Sequence, residues 1–198
     1  MTLYTGGAKG ADYEFAAQAI KFGHKAIVMS FEKHKEQLQK LSNVEVKRLK
    51  PQELKTADTF LGEAVKKIER VISSNTYVKN LLRRNYFQIK DTTSVYAVGE
   101  FIETGKKDSV NISGGTAWAC QMFVDKTLKQ GMSQDNHKIG LYFFSQKENS
   151  WFQCSLSKSN INWEKIQQPP QPKGNYTGIG TRELLTPGRE AIKSLYQN

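Results

Sequence analysis

The amino-acid sequence predicts an α/β fold with three layers and a mostly parallel sheet, and three observations lead to this prediction. Short apolar runs alternate with helix-like stretches along the 198-residue chain. Residues 1–30 have the pattern of a βαβ unit, in which a helix joins two parallel strands. Three glycine-rich turns each follow an apolar run and precede a helix-like stretch. Chains of this kind place helices on both faces of one sheet.

The first fifty residues supply the predicted βαβ unit and a charged segment. A strand at Leu3-Tyr4 leads into a helix over residues 12–22, whose apolar side chains recur at helical spacing. Residues 26–29 are an apolar run typical of a buried strand. The charged segment 32–50 is expected to be partly surface helix, with a short strand at 44–46.

The central part of the chain is predicted to be mainly helical. Pro51 suits the start of a helix, and residues 60–72 carry an apolar stripe with a helical period. Residues 77–88 form a further predicted helix, which precedes a strand at 94–98.

The second half alternates again between strands and helices. Residues 110–112 are a short apolar run before the middle glycine turn, and residues 116–129 are a predicted helix. Residues 139–144 form the most hydrophobic predicted strand, and 151–154 are expected to pair near it. A helix over residues 187–196 closes the chain.

Length and charge limit the classes of function. A chain of 198 residues is expected to form one domain, and the proline-rich residues 167–174 are expected to be a loop within it. The net charge of +10 favours an anionic partner, without deciding between DNA, RNA and a small phosphorylated molecule. No apolar run approaches the roughly 18 residues of a membrane span, so no membrane partner is expected. The N-terminus lacks the pattern of a signal peptide.

Cysteine and histidine usage gives no sign of a metal or disulfide framework. Cys120 and Cys154 fit buried free thiols in a reducing cytosol, so we expect a cytoplasmic protein. His24, His34 and His137 are scattered without the spacing of metal ligands. We therefore expect no metal site and no resident cofactor.

The glycine turns carry the functional prediction. A strand, a glycine turn and a helix N-terminus aim backbone N–H groups and the positive end of the helix dipole at one point, which suits a phosphate. Glycine permits close approach of the backbone and positive φ angles. The turns are Gly6-Gly7-Ala8-Lys9-Gly10-Ala11-Asp12, Ser113-Gly114-Gly115-Thr116 and Gly178-Ile179-Gly180-Thr181-Arg182-Glu183. Three of them in one domain predict a nucleotide-type site.

Residues of the first and last turns are candidate ligand contacts. Gly6, Gly7 and Gly10 would wrap phosphate or ribose oxygens, and Lys9 either contacts a phosphate or is an exposed turn lysine. Asp12 either caps the following helix or accepts a hydrogen bond from a ribose hydroxyl.

The last turn adds a cationic candidate. Thr181 and Arg182 are expected near Gly180 at the mouth of the last strand. The planar fork of Arg182 suits a phosphate, the alternative being a surface ion pair with Glu183.

These turns resemble motifs of the SLOG superfamily, Rossmann-like proteins that include the lonely-guy phosphoribohydrolases and DNA-processing protein A. Residues 5–12 are similar to the superfamily motif Ser/Thr-Gly-Gly-Ala-x-Gly-Ala/Ile-Asp, and residues 178–183 to Gly-x-Gly-Ser/Thr-Arg. Residues 114–116 resemble its Gly-Gly-Thr turn less closely. The resemblance implies a Rossmann-like nucleotide-binding domain.

The order of these motifs differs from that of the superfamily. The motif that usually comes first lies near the C-terminus, and its usual successor opens the chain. The resemblance therefore implies a circular permutation, in which residues 176–198 pack beside residues 1–30 and rebuild the usual site. Chain termini that lie close together make such a rearrangement tolerable.

The resemblance also assigns residues in the middle of the chain. Arg84 and Asn85 resemble the pair that precedes the middle strand in the superfamily, where the arginine belongs to the phosphoribohydrolase active site; as plain helix-surface residues they would need no such role. Gly114, Gly115 and Thr116 would form the third anion-binding turn.

One departure from the phosphoribohydrolase pattern bears on catalysis. Aligning the paired glycines puts Gln121 where that family has a catalytic glutamate, and glutamine supplies no acid–base chemistry. Trp118 takes the threonine position and either stacks on a base or belongs to the core.

Three functions follow from these residues. The first is a protein that binds a nucleotide or ADP-ribose-type molecule as a sensor or sequestering protein, since SLOG domains act as receptors in bacterial antiviral defence; a phage or bacterial setting would suit it. The second is an enzyme of the N-glycosidic bond, with Arg84 and either Glu100 or Glu183 in its active site. The third is a single-stranded DNA-binding protein, favoured by the net charge. SLOG proteins often dimerise, so the resemblance also implies a homo-oligomer.

Overall fold

The computed structural model describes residues 1–36, 41, 43–131, 137–158 and 160–197. The strands are β1 (Thr2–Thr5), β2 (Lys25–Phe31), β3 (Val44–Leu49), β4 (Ser94–Gly99), β5 (His137–Ser145), β6 (Ser150–Ser157), β7 (Asn160–Ile166) and β8 (Asn175–Gly180). The helices are α1 (Ala11–Lys21), α2 (Pro51–Lys55), α3 (Asp58–Ile68), α4 (Thr76–Ile89), α5 (Thr116–Lys129) and α6 (Thr186–Ser194). Across these residues, no helix is long and apolar enough to span a membrane.

The strands form one mostly parallel sheet in the order β3-β2-β1-β8-β4-β5-β6-β7. All neighbours from β3 to β5 are parallel, and β6 and β7 extend the sheet as antiparallel strands. The last strand, β8, lies between β1 and β4, where Tyr176 pairs with both Leu3 and Ser94. The C-terminal strand therefore sits at the centre of the sheet.

Helices cover both faces of the sheet, which gives the predicted three layers. On one face, α1 and α6 pack on β1, β8 and β4 through a cluster that includes Phe15, Tyr96, Tyr176 and Ile192. On the other face, α3, α4 and α5 cover the sheet, with Leu61, Ile89 and Met122 among the buried side chains. The predicted α/β fold with a mostly parallel sheet is confirmed, and the order of its parallel strands is Rossmann-like.

Two predicted elements of the first half differ from the structure. The described residues between Phe31 and Val44 contain no helix, whereas residues 37–40 and 42 of the predicted surface helix lie outside the described residues. The helix predicted from the stripe 60–72 ends at Ile68, because Glu69 adopts a left-handed φ of 49°. Val71, which continued the apolar stripe, is 90% exposed.

The second half holds the remaining corrections. Residues 110–112 are not a strand of the sheet, and Ile112 makes only an isolated antiparallel bridge with Phe101. Strand β7 was not predicted, because this edge strand contains polar and charged residues and its few apolar positions form no clear strand pattern. Gly178 and Gly180 lie inside β8 rather than in a turn, and residues 181–185 separate β8 from α6.

Packing explains a glycine at position 178. A Cβ atom there would lie 2.5 Å from Cγ of Phe15, whose ring is fully buried under α1. Helix α1 therefore approaches the central strand closely because position 178 has no side chain.

Candidate functional site

A cleft of about 690 Å³ opens at the carboxyl ends of the central strands. Ala8 after β1, Gly99 at the end of β4, Gly180 at the end of β8 and residues 181–183 after it all line the cleft. The chain winds in opposite directions on the two sides of β8, since β1, β2 and β3 run outwards on one side and β4 and β5 on the other. Crevices at such topological switch points are the usual ligand sites of open α/β sheets.

Most of the predicted site residues meet in this cleft. Those that line it are Asp12, Arg84, Asn85, Gly114, Gly115, Thr116, Trp118, Gly180, Thr181, Arg182 and Glu183. Gly6, Gly7, Lys9 and Gly10 belong to the first turn but do not line the cleft as the described residues define it. The three glycine turns thus converge, although the first contributes mainly Ala8 and Asp12.

The middle turn presents an open helix N-terminus to the cleft. Gly114 has a φ of 64° and is exposed, and Gly115 precedes the 14-residue helix α5 without a side-chain cap. The Asn85 side chain donates to the carbonyl of Gly115 at 3.2 Å. Arg70 donates to the carbonyls of Gly114 and Ile112. Side chains therefore donate hydrogen bonds to the carbonyls of the turn, whereas no side chain of the turn caps the first N–H groups of α5.

The first turn carries its own anion. The Asp12 carboxylate is 2% exposed and accepts hydrogen bonds from the N–H of Ala8 at 3.4 Å and of Gly180 at 3.1 Å. Burial raises the pKa of Asp12, opposed by the nearby Arg84 guanidinium and by N–H groups that include that of Gly6. Asp12 is not the N-cap of α1, which is Gly10, and its two oxygens join the first turn to β8.

Arg84 is the central buried cation of the site. It is 6% exposed, and its Nη1 donates to the carbonyl of Gly6 and to Nε2 of His34, each at 2.8 Å. Its Nε atom is buried without a hydrogen-bond partner among the described residues. Burial lowers the pKa of Arg84, and the carboxylate of Asp12 opposes this shift. Arg84 lines the cleft, and its guanidinium thus keeps a buried, unused donor in the cleft wall.

The segment after β8 adds a second guanidinium. Arg182 is exposed and lines the cleft, and its charge is close enough to lower the pKa values of Arg84 and His34. Arg182 and Glu183 form no ion pair with each other in the described chain. The N–H of Glu183 donates to Oγ1 of Thr181 at 3.1 Å, which shapes the turn.

The middle residues that bear on catalysis have structural partners. Gln121 is fully buried outside the cleft, where Oε1 accepts from the N–H of Val110 at 3.1 Å and Nε2 donates to Asp125 at 3.1 Å. Gln121 thus anchors the connection before α5. Glu100 accepts from the N–H of Lys147 at 3.1 Å and does not line the cleft, in contrast to Glu183.

Trp118 closes the apolar side of the cleft. Only 4% of its surface is exposed, and it packs in the same core cluster as Leu82 and Phe123. Its ring therefore belongs to the core as well as to the cleft wall, and little of its surface is exposed for stacking a base.

Sequence reasoning missed three polar residues that support the site. Arg70 holds the middle turn, and His34 contacts Arg84. Gln146 holds the second half of the segment after β8, because Nε2 donates to the carbonyl of Glu183 and Oε1 accepts from the N–H of Leu185. Arg70 lies within the predicted helical stripe 60–72, His34 and Gln146 follow predicted strands, and none of the three has a motif around it.

The side chains that could bind a metal do not form a metal site in the described ranges. No group of three or more His, Cys, Asp and Glu side chains is placed to hold a metal ion there. Cys120 and Cys154 are free and buried, and burial raises the pKa of the Cys120 thiol to about 12.

Comparisons with known proteins assign no family and no function to the chain. No protein-family model matches the chain, and no curated protein matches it. Among solved structures, the chain is similar to a DNA/pantothenate metabolism flavoprotein from Streptococcus pneumoniae at 6% identity and a TM-score of 0.29, over 83% of this chain and 91% of that one. Similarity at this level carries no functional argument, and the strand order itself defines the fold.

Proposed function

We propose that the protein binds a nucleotide or ADP-ribose-type small molecule in the switch-point cleft, as a sensor or sequestering protein. One observation carries the proposal: an uncapped helix N-terminus and two arginines face the same cleft. The buried Arg84 keeps an unpartnered Nε donor there, and the exposed Arg182 has no ion-pair partner in Glu183. The volume of about 690 Å³ lies within the range of small-molecule sites.

The polar and apolar lining residues of the cleft suit different parts of such a ligand. Gly115, Thr116 and Arg182 line the cleft, and the N–H groups of a helix N-terminus and a guanidinium suit phosphate oxygens. The cleft also has an apolar wall, which is formed by Val71, Val78, Leu81 and Leu82. We assign the phosphate to the middle turn and a base or sugar face to this wall, since Asp12 already occupies the N–H groups around the first turn.

Membership of the SLOG superfamily is part of this proposal. The strand order supports a circular permutation, because joining the end of α6 to β1 would give consecutive parallel β-α-β units from β8 to β2. The whole described chain then forms one nucleotide-binding domain. A homo-oligomer and a role in phage or bacterial defence signalling remain proposals that rest on the resemblance.

Isothermal titration calorimetry with ADP-ribose derivatives, nucleoside phosphates and cyclic nucleotides tests the function. At least one phosphorylated compound is expected to bind below millimolar concentration. Arg182→Ala is expected to weaken its binding at least about tenfold, since a hydrogen bond to a charged group contributes about 1.5–3 kcal/mol.

Lys9→Ala is the matched control, because Lys9 is also an exposed turn cation but does not line the cleft. It is expected to change the affinity by less than about threefold, within the effect of one distant surface charge. No binding by any compound, or equal losses in the two variants, contradicts the proposed site.

A second candidate function is hydrolysis of an N-glycosidic bond, and the position of Glu183 in the cleft favours it. Glu183 would replace the carboxylate that Gln121 lacks. Release of free base from nucleoside monophosphates, lost in Glu183→Gln, would support the enzyme, and intact substrate after prolonged incubation would exclude it.

A further inference from the structure

A directed chain of hydrogen bonds reaches Arg84 from the surface of the protein. Arg48 on β3 donates to Oε1 of Glu36 at 2.7 Å, and Ser30 on β2 donates to Oε2 of Glu36 at 3.1 Å. Oγ of Ser30 lies 3.1 Å from Nδ1 of His34. Because the Ser30 proton goes to Glu36, Nδ1 of His34 must be the donor to Ser30.

This order of donors fixes the state of the His34 ring. With the proton on Nδ1, Nε2 carries the lone pair that accepts from Nη1 of Arg84 at 2.8 Å. His34 is 7% exposed and stacks on Phe31, with ring centroids 5.1 Å apart. The ring therefore stays neutral and immobile, and it meets a guanidinium as an acceptor.

The hydrogen bond between His34 and Arg84 decides which edge of the Arg84 guanidinium is left without a hydrogen-bond partner. Nη1 has two N–H bonds, and these go to His34 and to the carbonyl of Gly6. Nε has no partner among the described residues, and Nη2 donates no hydrogen bond there either. The Nε–Nη2 edge is the one that binds a carboxylate or phosphate with two parallel hydrogen bonds.

We infer that His34 is a positioning residue, which holds Arg84 by Nη1 so that its Nε–Nη2 edge serves a phosphate group of the ligand. The inference rests on the proposed function and adds a residue that lies outside the glycine motifs. It also predicts a dependence on pH, because a protonated ring has no lone pair for Arg84.

The charges around His34 set the range of that dependence. The groups that act on the ring are Arg84, Arg182 and Arg48, which disfavour its protonation, and Glu36, which favours it. Burial and the arginines together lower the pKa of His34 to about 4. Since the ring is neutral above this value, the positioning contact is complete at neutral pH and is lost as the pH falls towards 4.

Two substitutions of His34 distinguish a role in positioning Arg84 from a role in packing against Phe31. His34→Gln places an amide oxygen where Nε2 accepts and does not titrate, whereas His34→Phe keeps a ring on Phe31 but offers no acceptor. With ADP-ribose as the calorimetric probe at pH 7.5, the phenylalanine variant is expected to bind at least tenfold more weakly. The glutamine variant is expected to stay within about threefold of the parent, and so is His24→Gln, whose ring contacts Tyr176 away from the cleft.

The pH profile gives the second readout. Between pH 6 and 4 the parent is expected to lose affinity more steeply than His34→Gln, whose profile follows only the ligand and the groups that both proteins share, such as Asp12. Equal affinity of folded His34→Phe and the parent, or identical pH profiles of the parent and His34→Gln, overturns the inference.

A measurement without ligand separates this inference from the proposed function. Nitrogen-15 NMR of the histidine rings is expected to show His34 protonated on Nδ1 with an unprotonated Nε2 at pH 7. The opposite tautomer overturns the positioning role whatever the ligand is. If no probe binds while the Nδ1 tautomer is present, the proposed function fails together with the ligand role of His34, and the contact to Arg84 stands.

Discussion

At the scale of single residues, Asp12 explains why the first glycine turn does not behave as its sequence suggests. The motif around Gly6 and Gly10 has the composition of a phosphate-binding turn, and its N–H groups do bind an anion. That anion is the carboxylate of Asp12, held by the N–H groups of Ala8 and Gly180 and balanced by Arg84. A sequence motif specifies the residue types, whereas the partner of each N–H group depends on the side chains that fold back onto it.

Asp12→Asn tests this internal role. The amide would put two N–H bonds among groups that are all donors, and it would leave Arg84 buried without a counter-charge. Leaving a buried donor without its acceptor costs about 1–3 kcal/mol, so a loss of this size is expected in the free energy of unfolding measured with urea.

Asp91→Asn is the control for that experiment. Asp91 is exposed and pairs with Lys90 at 2.9 Å, and surface pairs of this kind contribute less than about 1 kcal/mol. A loss in Asp12→Asn no larger than that in Asp91→Asn would contradict the internal role of the carboxylate.

At the scale of helices and strands, the sequence predicts the elements with a clear apolar pattern well and the polar edge strand of the sheet poorly. The bounds of α5 match the prediction, and β5 contains the predicted residues 139–144, because both elements carry buried apolar side chains at the period of their structure. Strand β7 escaped prediction because an edge strand exposes polar side chains. The run 110–112 was wrongly expected to act as a strand, since it is buried by Gln121 and α5 rather than by sheet pairing.

The position of the termini leads to a prediction about connectivity. The Tyr196 ring stacks on Phe22 at 6.0 Å, and the carbonyl of Met1 accepts from the N–H of Lys25 at 3.0 Å, so both chain ends lie beside the short connection between α1 and β2. A chain with residue 197 joined to residue 1 by a short glycine-serine linker, and opened between Lys173 and Gly174, is expected to fold. Its free energy of unfolding is expected within about 2 kcal/mol of the parent, since loop closure depends weakly on loop length.

Opening the same relinked chain inside β8, between Tyr176 and Thr177, is the matched control. This break lies in the central strand, so the chain is expected not to fold and to show no cooperative unfolding transition. Failure of the first variant to fold would contradict the inferred circular permutation.

At the scale of the whole molecule, the cleft exists because a distant part of the chain completes the centre of the sheet. The first and last turns are separated by more than 160 residues in sequence, and their convergence follows from the insertion of β8 between β1 and β4. Strand pairing of this range has no local signal in composition or periodicity. The candidate residues could be named from the motifs, whereas the supporting contacts of Arg70, His34 and Gln146 depend on long-range packing.

The three turns have different tasks in the proposed site: the first binds the Asp12 carboxylate, whereas the middle and last are proposed to bind the ligand. Hydrogen–deuterium exchange of the backbone with and without saturating ADP-ribose tests this assignment most directly. We predict slower exchange for the N–H groups of residues 114–118 and 181–184 in the presence of the ligand, with no change at residues 6–10. Protection confined to residues 6–10, or none at the middle turn despite binding, would contradict it.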